Sequence, residues 1–305
     1  MRQAQAVALA LLAALAPAAA RAAEQPASEP VLRLLAPGRA PLKALRYRAR
    51  PGQKAHVSMS ISMAMTMSIG GQVLPTPPTP EMRCGLDMQV TDVTPQGDIH
   101  YAFQFGEFEV VAQPSVPPAV VEATRNAVAG VRGLRGRAVA SSRGITREAE
   151  IKVPPDAPPQ VRQMVDSLQQ SMRQFSAPLP EEPVGAGARW DTTYHLTQNG
   201  ITIDQTAHNE LTSIDGDRGQ LAVTLTQSAP PQRMATPNLP AGARADLVSL
   251  ASSGEGTSTL DFTRLVPTSA RVKLKMKMAT RMQVGQEKPQ EFDMTMDMSM
   301  SMTGR

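Results

Sequence analysis

His56-Val-Ser-Met-Ser-Ile-Ser-Met-Ala-Met-Thr-Met-Ser-Ile69 is the stretch that decides the fold. Val57, Met59, Ile61, Met63, Met65, Met67 and Ile69 share one parity, and Ser, Ala or Thr takes the positions between them. Successive side chains of a strand point to opposite sides, so this alternation describes one long strand with a single apolar face. Gly70-Gly71 then ends it in a turn.

The same period continues outward from that strand. Glu81 to Val93 and Asp98 to Val110 read as a hairpin around Thr94-Pro95-Gln96-Gly97, and Arg135 to Ser142 with Ile145 to Val153 as another around Arg143-Gly144. Trp190 to Asn199, Ile201 to Ile214 and Gly219 to Gln227 form a meander with corners at Asn199-Gly200 and Asp215-Gly216-Asp217. Strands at Thr257 to Leu265, Ser269 to Gln283 and Glu291 to Met302 complete the chain, after a Pro- and Ala-rich loop from Ala229 to Gly242.

Two stretches break the period. Pro117 to Val131 and Pro158 to Phe175 carry apolar residues at steps of three and four, which makes them helices. They lie together in mid-chain and do not alternate with the strands, so they are expected to cover the sheet. The predicted class is α+β: a long-stranded, curved antiparallel sheet, or half-barrel, with two helices packed on its concave face. A glycine turn into a strand, followed by a hairpin with an acidic corner, occurs near Gly52 and again near Gly185. The domain, 42–305, is therefore read as two related halves, 42–180 and 181–305.

Ahead of the domain, Arg2 precedes an apolar run from Ala4 to Ala20, with small residues at Ala18, Ala20 and Ala22. This layout predicts a cleaved signal peptide over 1–22 and a periplasmic or secreted protein that does not span the membrane. Residues 23–41 are Pro- and Ala-rich and are expected as a disordered lead-in. Cys84 is the only cysteine, which rules out an internal disulfide, and a formal charge of +4 over 305 residues does not point to nucleic acid.

Taken together, Leu42-Lys-Ala-Leu-Arg-Tyr47, the Pro51-Gly-Gln-Lys54 turn, the methionine strand, Pro183-Val-Gly-Ala-Gly-Ala-Arg-Trp190 and Ser253-Gly-Glu-Gly-Thr257 resemble an uncharacterised family of bacterial secreted proteins and lipoproteins, a domain of unknown function. That resemblance covers about Leu42 to Met302 and implies export and a β-rich fold, with no reaction attached. A looser, architectural likeness is to the half-barrels of periplasmic lipoprotein carriers.

Methionine is no preferred strand residue, yet most of the eighteen methionines stand in predicted strands. Three accounts fit. The thioethers fill an irregular core, leaving a structural or interaction protein without a ligand. Alternatively, Met59, Ile61, Met63, Met65, Met67, Met276, Met278, Met296, Met298 and Met300 line an adaptable site for an apolar ligand of lipid or acyl type. In the third account, soft sulfurs bind periplasmic copper(I).

No catalytic residue, cofactor or metal set is nominated. The chain lacks a Gly-x-Ser-x-Gly elbow, and His56, His100, His195 and His208 are scattered. The chain is therefore expected not to be an enzyme. Arg125, Arg132, Arg135, Arg137, Arg143 and Arg147 form a basic stretch, read either as edge-strand protection or as a docking face for an anionic envelope surface.

Overall fold

The computed structural model describes residues 29–155, 157, 159–172, 177–198, 201–234, 243–285 and 287–305. The expected signal peptide, the Asn199-Gly200 corner and most of the 229–242 loop lie outside these residues. The methionine stretch is a strand, β2 (Lys54–Ile69), preceded by β1 (Val31–Ala36) and followed by β3 (Gln72–Leu74), β4 (Glu81–Val93) and β5 (Ile99–Val111). After helix α1 (Pro118–Val128) come β6 (Arg135–Ala140) and β7 (Thr146–Lys152), then helix α2 (Pro159–Met172). The second part holds β8 (Ala188–Gln198), β9 (Ile201–Asp215), β10 (Arg218–Ala229), the short β11 (Gln232–Arg233), β12 (Ala243–Asp261), β13 (Ser269–Val284) and β14 (Gln290–Gly304).

These strands make one 14-stranded antiparallel sheet, twelve of them in the order β1-β8-β9-β10-β12-β13-β14-β2-β4-β5-β6-β7 with β3 pairing off this path to β2 and β11 to β12; the sheet is not closed into a barrel. It consists of two meanders sewn together along β2 and β14, where the last strand of the chain lies against its first long one. Several features curve the sheet. Bulges interrupt the ladders at Leu247/Ser249, Gln220/Leu221 and Cys84/Leu86. The two ends of the strand order also approach each other: Glu29, just before β1, comes within 3.9 Å of Arg147 on β7.

One end of the curved sheet is filled by the main core. The segment after Leu42 bridges it, with Tyr47 N donating to Ser142 O at 2.7 Å and Arg48 N to Phe262 O at 2.7 Å. Leu179 N donates to Arg143 O at 2.8 Å, and the indole of the fully buried Trp190 donates to Pro178 O at 3.1 Å. Leu45, Tyr47, Val57, Leu86, Phe103, Ile151, Leu179, Trp190 and Phe262 pack there as one cluster. Burial of that apolar surface, at about 25 cal/mol per Å², is the main stabilising term.

Two expectations change. The lead-in is not wholly irregular, because Val31–Ala36 extends the sheet by pairing with β8, whose edge would otherwise be bare. The strand expected to start at Thr257 starts at Ala243 and ends at Asp261. The bulge at Leu247/Ser249 shifts its parity, and Ser252-Ser-Gly-Glu-Gly256 has little strand propensity, so ladders with β10 and β13 hold it rather than local preference. The helices form where the period of three and four placed them, each starting at a proline whose missing N–H costs nothing in a first turn. However, α1 lies against β5 and α2 against β7, toward one end of the strand order and not over β2, β13 and β14. Among the described residues, no helix is long and apolar enough to cross a membrane.

Chain crossings outside the sheet are as tight as the ladders. A Cβ added at Gly185 would stand 1.9 Å from Arg39 O, whereas one at Gly52, whose φ is +80°, meets nothing within 4 Å. Gly185→Ala should therefore cost about 3 kcal/mol or more through forced backbone displacement. Gly52→Ala should cost only the left-handed penalty of about 1 to 2 kcal/mol. Urea midpoints of the two variants measure the difference.

Candidate functional site

Register places every candidate methionine on one face. Residues paired across an antiparallel ladder project to the same side. Met59 pairs with Met302, Ile61 with Met300 and Met63 with Met298; Met65 pairs with Met296 and Met67 with Met294. The next ladder adds Met276 beside Met296 and Met278 beside Met294. The sulfurs thus lie in transverse rows about 4.8 Å apart from strand to strand.

Burial along this face is uneven. Met67, Met294 and Met302 are 3–6% exposed. Met59 and Met302 join the main core, and Met276 and Met278 pack against a second cluster of Ile201, Ile203, Leu247 and Leu250. Between these ends, Ile61, Met63, Met65, Met296, Met298 and Met300 are only partly buried and belong to none of the buried clusters among the described residues. They form a partly open strip on β2 and β14.

Sequence reading missed how this strip continues. Following the ladders from Met65 through Met296 and Met276 leads to Ser252, Gln227, Gln205 and Tyr194, one on each successive strand from β12 to β8. Gln205, Ser252 and Tyr194 are 5–8% exposed. Gln227 Nε2 donates to Gln205 Oε1 at 2.7 Å, while Ser252 Oγ, fully enclosed, has no hydrogen-bond partner. Parity was the overlooked signal: Gln205 shares its parity with Ile201, Ile203 and Leu211, and Gln227 with Leu221, Val223 and Leu225.

The opposite face is wet and charged. Three of the four histidines are paired there through Nδ1: His56 with Asp87 at 2.7 Å, His195 with Asp204 at 2.6 Å and His208 with Asp191 at 2.7 Å. All are half-exposed cross-strand pairs, worth little individually. His56 is on the polar parity of β2, so its ring projects away from the sulfurs that a copper site would use. Among the described residues, no group of His, Cys, Asp and Glu is gathered to hold a metal.

A groove of about 660 Å³ opens over residues 62–66, 273–275 and 297–299. Lys273, Lys275 and Asp297 reach it from the polar parity, and Met63, Met65 and Met298 of the methionine strip also line it. Pro75-Thr-Pro-Pro-Thr-Pro80 walls it. Prolines cannot join a ladder, and the hydroxyls of Thr76 and Thr79 donate instead to the carbonyls of Met65 and Met63. Glu81 at its rim accepts from Ser60 Oγ at 2.8 Å and Arg83 Nε at 2.9 Å, and these bonds, the Ser60 one foremost, hold its carboxyl below the usual range.

Five of the six arginines of the basic stretch have an acidic neighbour. Arg125 lies near Glu122, Arg132 near Glu107, Arg137 near Glu150, Arg143 near Glu181, and Arg147 near Asp98, all within 4 Å. Interleaved charges of both signs suit an edge of the sheet, where β7 ends the strand order, better than a uniformly cationic docking face.

Burial pushes the Cys84 thiol up to about 11, so at neutral pH it is a small apolar side chain and no thiolate nucleophile. Native protein should react slowly with an aromatic disulfide reagent at pH 8, and quickly once unfolded in urea. Dilute peroxide should oxidise Met63, Met65, Met296, Met298 and Met300 several-fold faster than Met67, Met294 and Met302, as peptide mass spectrometry would read. No protein-family model matches this chain and no curated protein matches it, so the roles of these residues rest on their geometry.

Proposed function

We propose that this chain is a non-enzymatic, exported cell-envelope protein, periplasmic or secreted, that holds an apolar ligand of lipid or acyl type against the methionine strip. In this reading the sheet is a half-barrel, its helices sit on the concave side, and the strip is the exposed part of that concavity. The run of Ile61, Met63, Met65, Met296, Met298 and Met300, only partly buried and outside the buried clusters among the described residues, carries the proposal. A sheet that only needed a dry side would fill these positions with Val or Ile, whose β-branched side chains suit a strand. Unbranched thioethers repack around differently shaped apolar partners at small cost. Burial of Met67, Met294 and Met302 favours a core-filling role for those three, so the ligand reading is confined to the middle of the face.

Native mass spectrometry of gently purified protein tests this reading. The expected result is a co-purifying or reloadable acyl-type adduct, lost when Met65→Lys and Met296→Lys are combined in a protein that still folds by circular dichroism. A clean apo mass with no uptake from lipid micelles would sink it.

A further inference from the structure

The row that runs from Met65 to Tyr194 changes chemistry halfway. Its first part, Met65, Met296 and Met276, is apolar and partly open; its second, Ser252, Gln227, Gln205 and Tyr194, is polar and mostly enclosed. Polar side chains on the dry face of a sheet cost free energy unless they are hydrogen-bonded. The glutamines partly satisfy each other, but Ser252 Oγ, at the junction with Met276, has no partner. Every group in this half is uncharged. Burial pushes the Tyr194 phenol up, so it stays protonated. The nearest ammonium groups, on Lys275 and Lys277, flank Met276 on the other parity and project from the opposite face.

Resting on the ligand reading above, we propose that the strip takes a neutral-headed amphiphile, whose apolar chain lies on Met65, Met296 and Met276 and whose uncharged hydrogen-bonding head, an ester or amide-linked polyol, meets Ser252 and Gln227. From Ser252 to Met65 is three strand spacings, about 14 Å, which suits a medium-length acyl chain. An ionised carboxylate would have to shed its water beside these residues with no cation to meet it, so fatty acids are disfavoured. A hydroxyl or ester carbonyl that reaches this enclosed oxygen by displacing the adjacent, flexible Met276 thioether gives Ser252 Oγ the partner it lacks.

Isothermal titration calorimetry at pH 8 with 1-decanoylglycerol and decanoate, which share one chain, separates head from tail. Wild-type protein should bind the glyceride about tenfold more tightly than the carboxylate. Ser252→Ala should remove most of that preference, chiefly by weakening glyceride binding. It should also raise the urea midpoint of the free protein, because an unsatisfied buried hydroxyl is deleted. Gln227→Leu gives a second variant that should lose the same preference. If decanoate binds as tightly as the glyceride, or if Ser252→Ala leaves the preference intact, the head-group assignment is overturned while the acyl reading stands. If neither amphiphile binds, both fall together.

Discussion

The ladder between β2 and β14 is the interaction on which the rest of the structure depends. It runs from Phe292 opposite Ile69 to Gly304 opposite Val57, joining opposite ends of the described chain and turning two meanders into one sheet. A slip of one residue would send every methionine of one strand to the wet face and every serine to the dry one. The alternation that makes each strand amphipathic therefore also fixes their mutual register. The price is entropic, because no contact between these strands forms until nearly the whole chain has been gathered.

Chemistry divides cleanly between the two faces this ladder creates. On the wet side are cross-strand His–Asp and Arg–Glu pairs, half-exposed and screened, each of which adds little stability. On the dry side, aromatic and aliphatic residues fill one end, while thioethers and a short uncharged polar row occupy the middle. With six phenylalanines, three tyrosines and one tryptophan in 305 residues, most of them committed to that filled end, adaptable side chains dominate elsewhere.

Much of this was legible in the residues. The β2 alternation, the hairpins at Thr94 to Gly97 and Arg143-Gly144, and both helices stand where periodicity and turn chemistry put them. The first half of β12 was not legible, since its bulge breaks the alternation and its Ser-Gly run has no strand preference of its own. Nor was β1, a short segment that becomes a strand only because β8 offers it a free edge. Tyr194, Gln205, Gln227 and Ser252 went unnoticed because each is unremarkable within its own strand and becomes a row only across four of them.

By itself, the sequence determined which residues of each strand share a face, because parity is a local property of an extended backbone. It also determined that those faces are apolar with methionine where Val or Ile is usual. Tertiary structure alone decided which strands are neighbours, and therefore that the methionines of β2, β13 and β14 meet in common rows. Adjacency in a sheet is set by the long-range hydrogen-bond ladder and not by any residue's own preference. The same long-range packing drew the helices toward β5 and β7 and left the middle of the methionine face only partly buried.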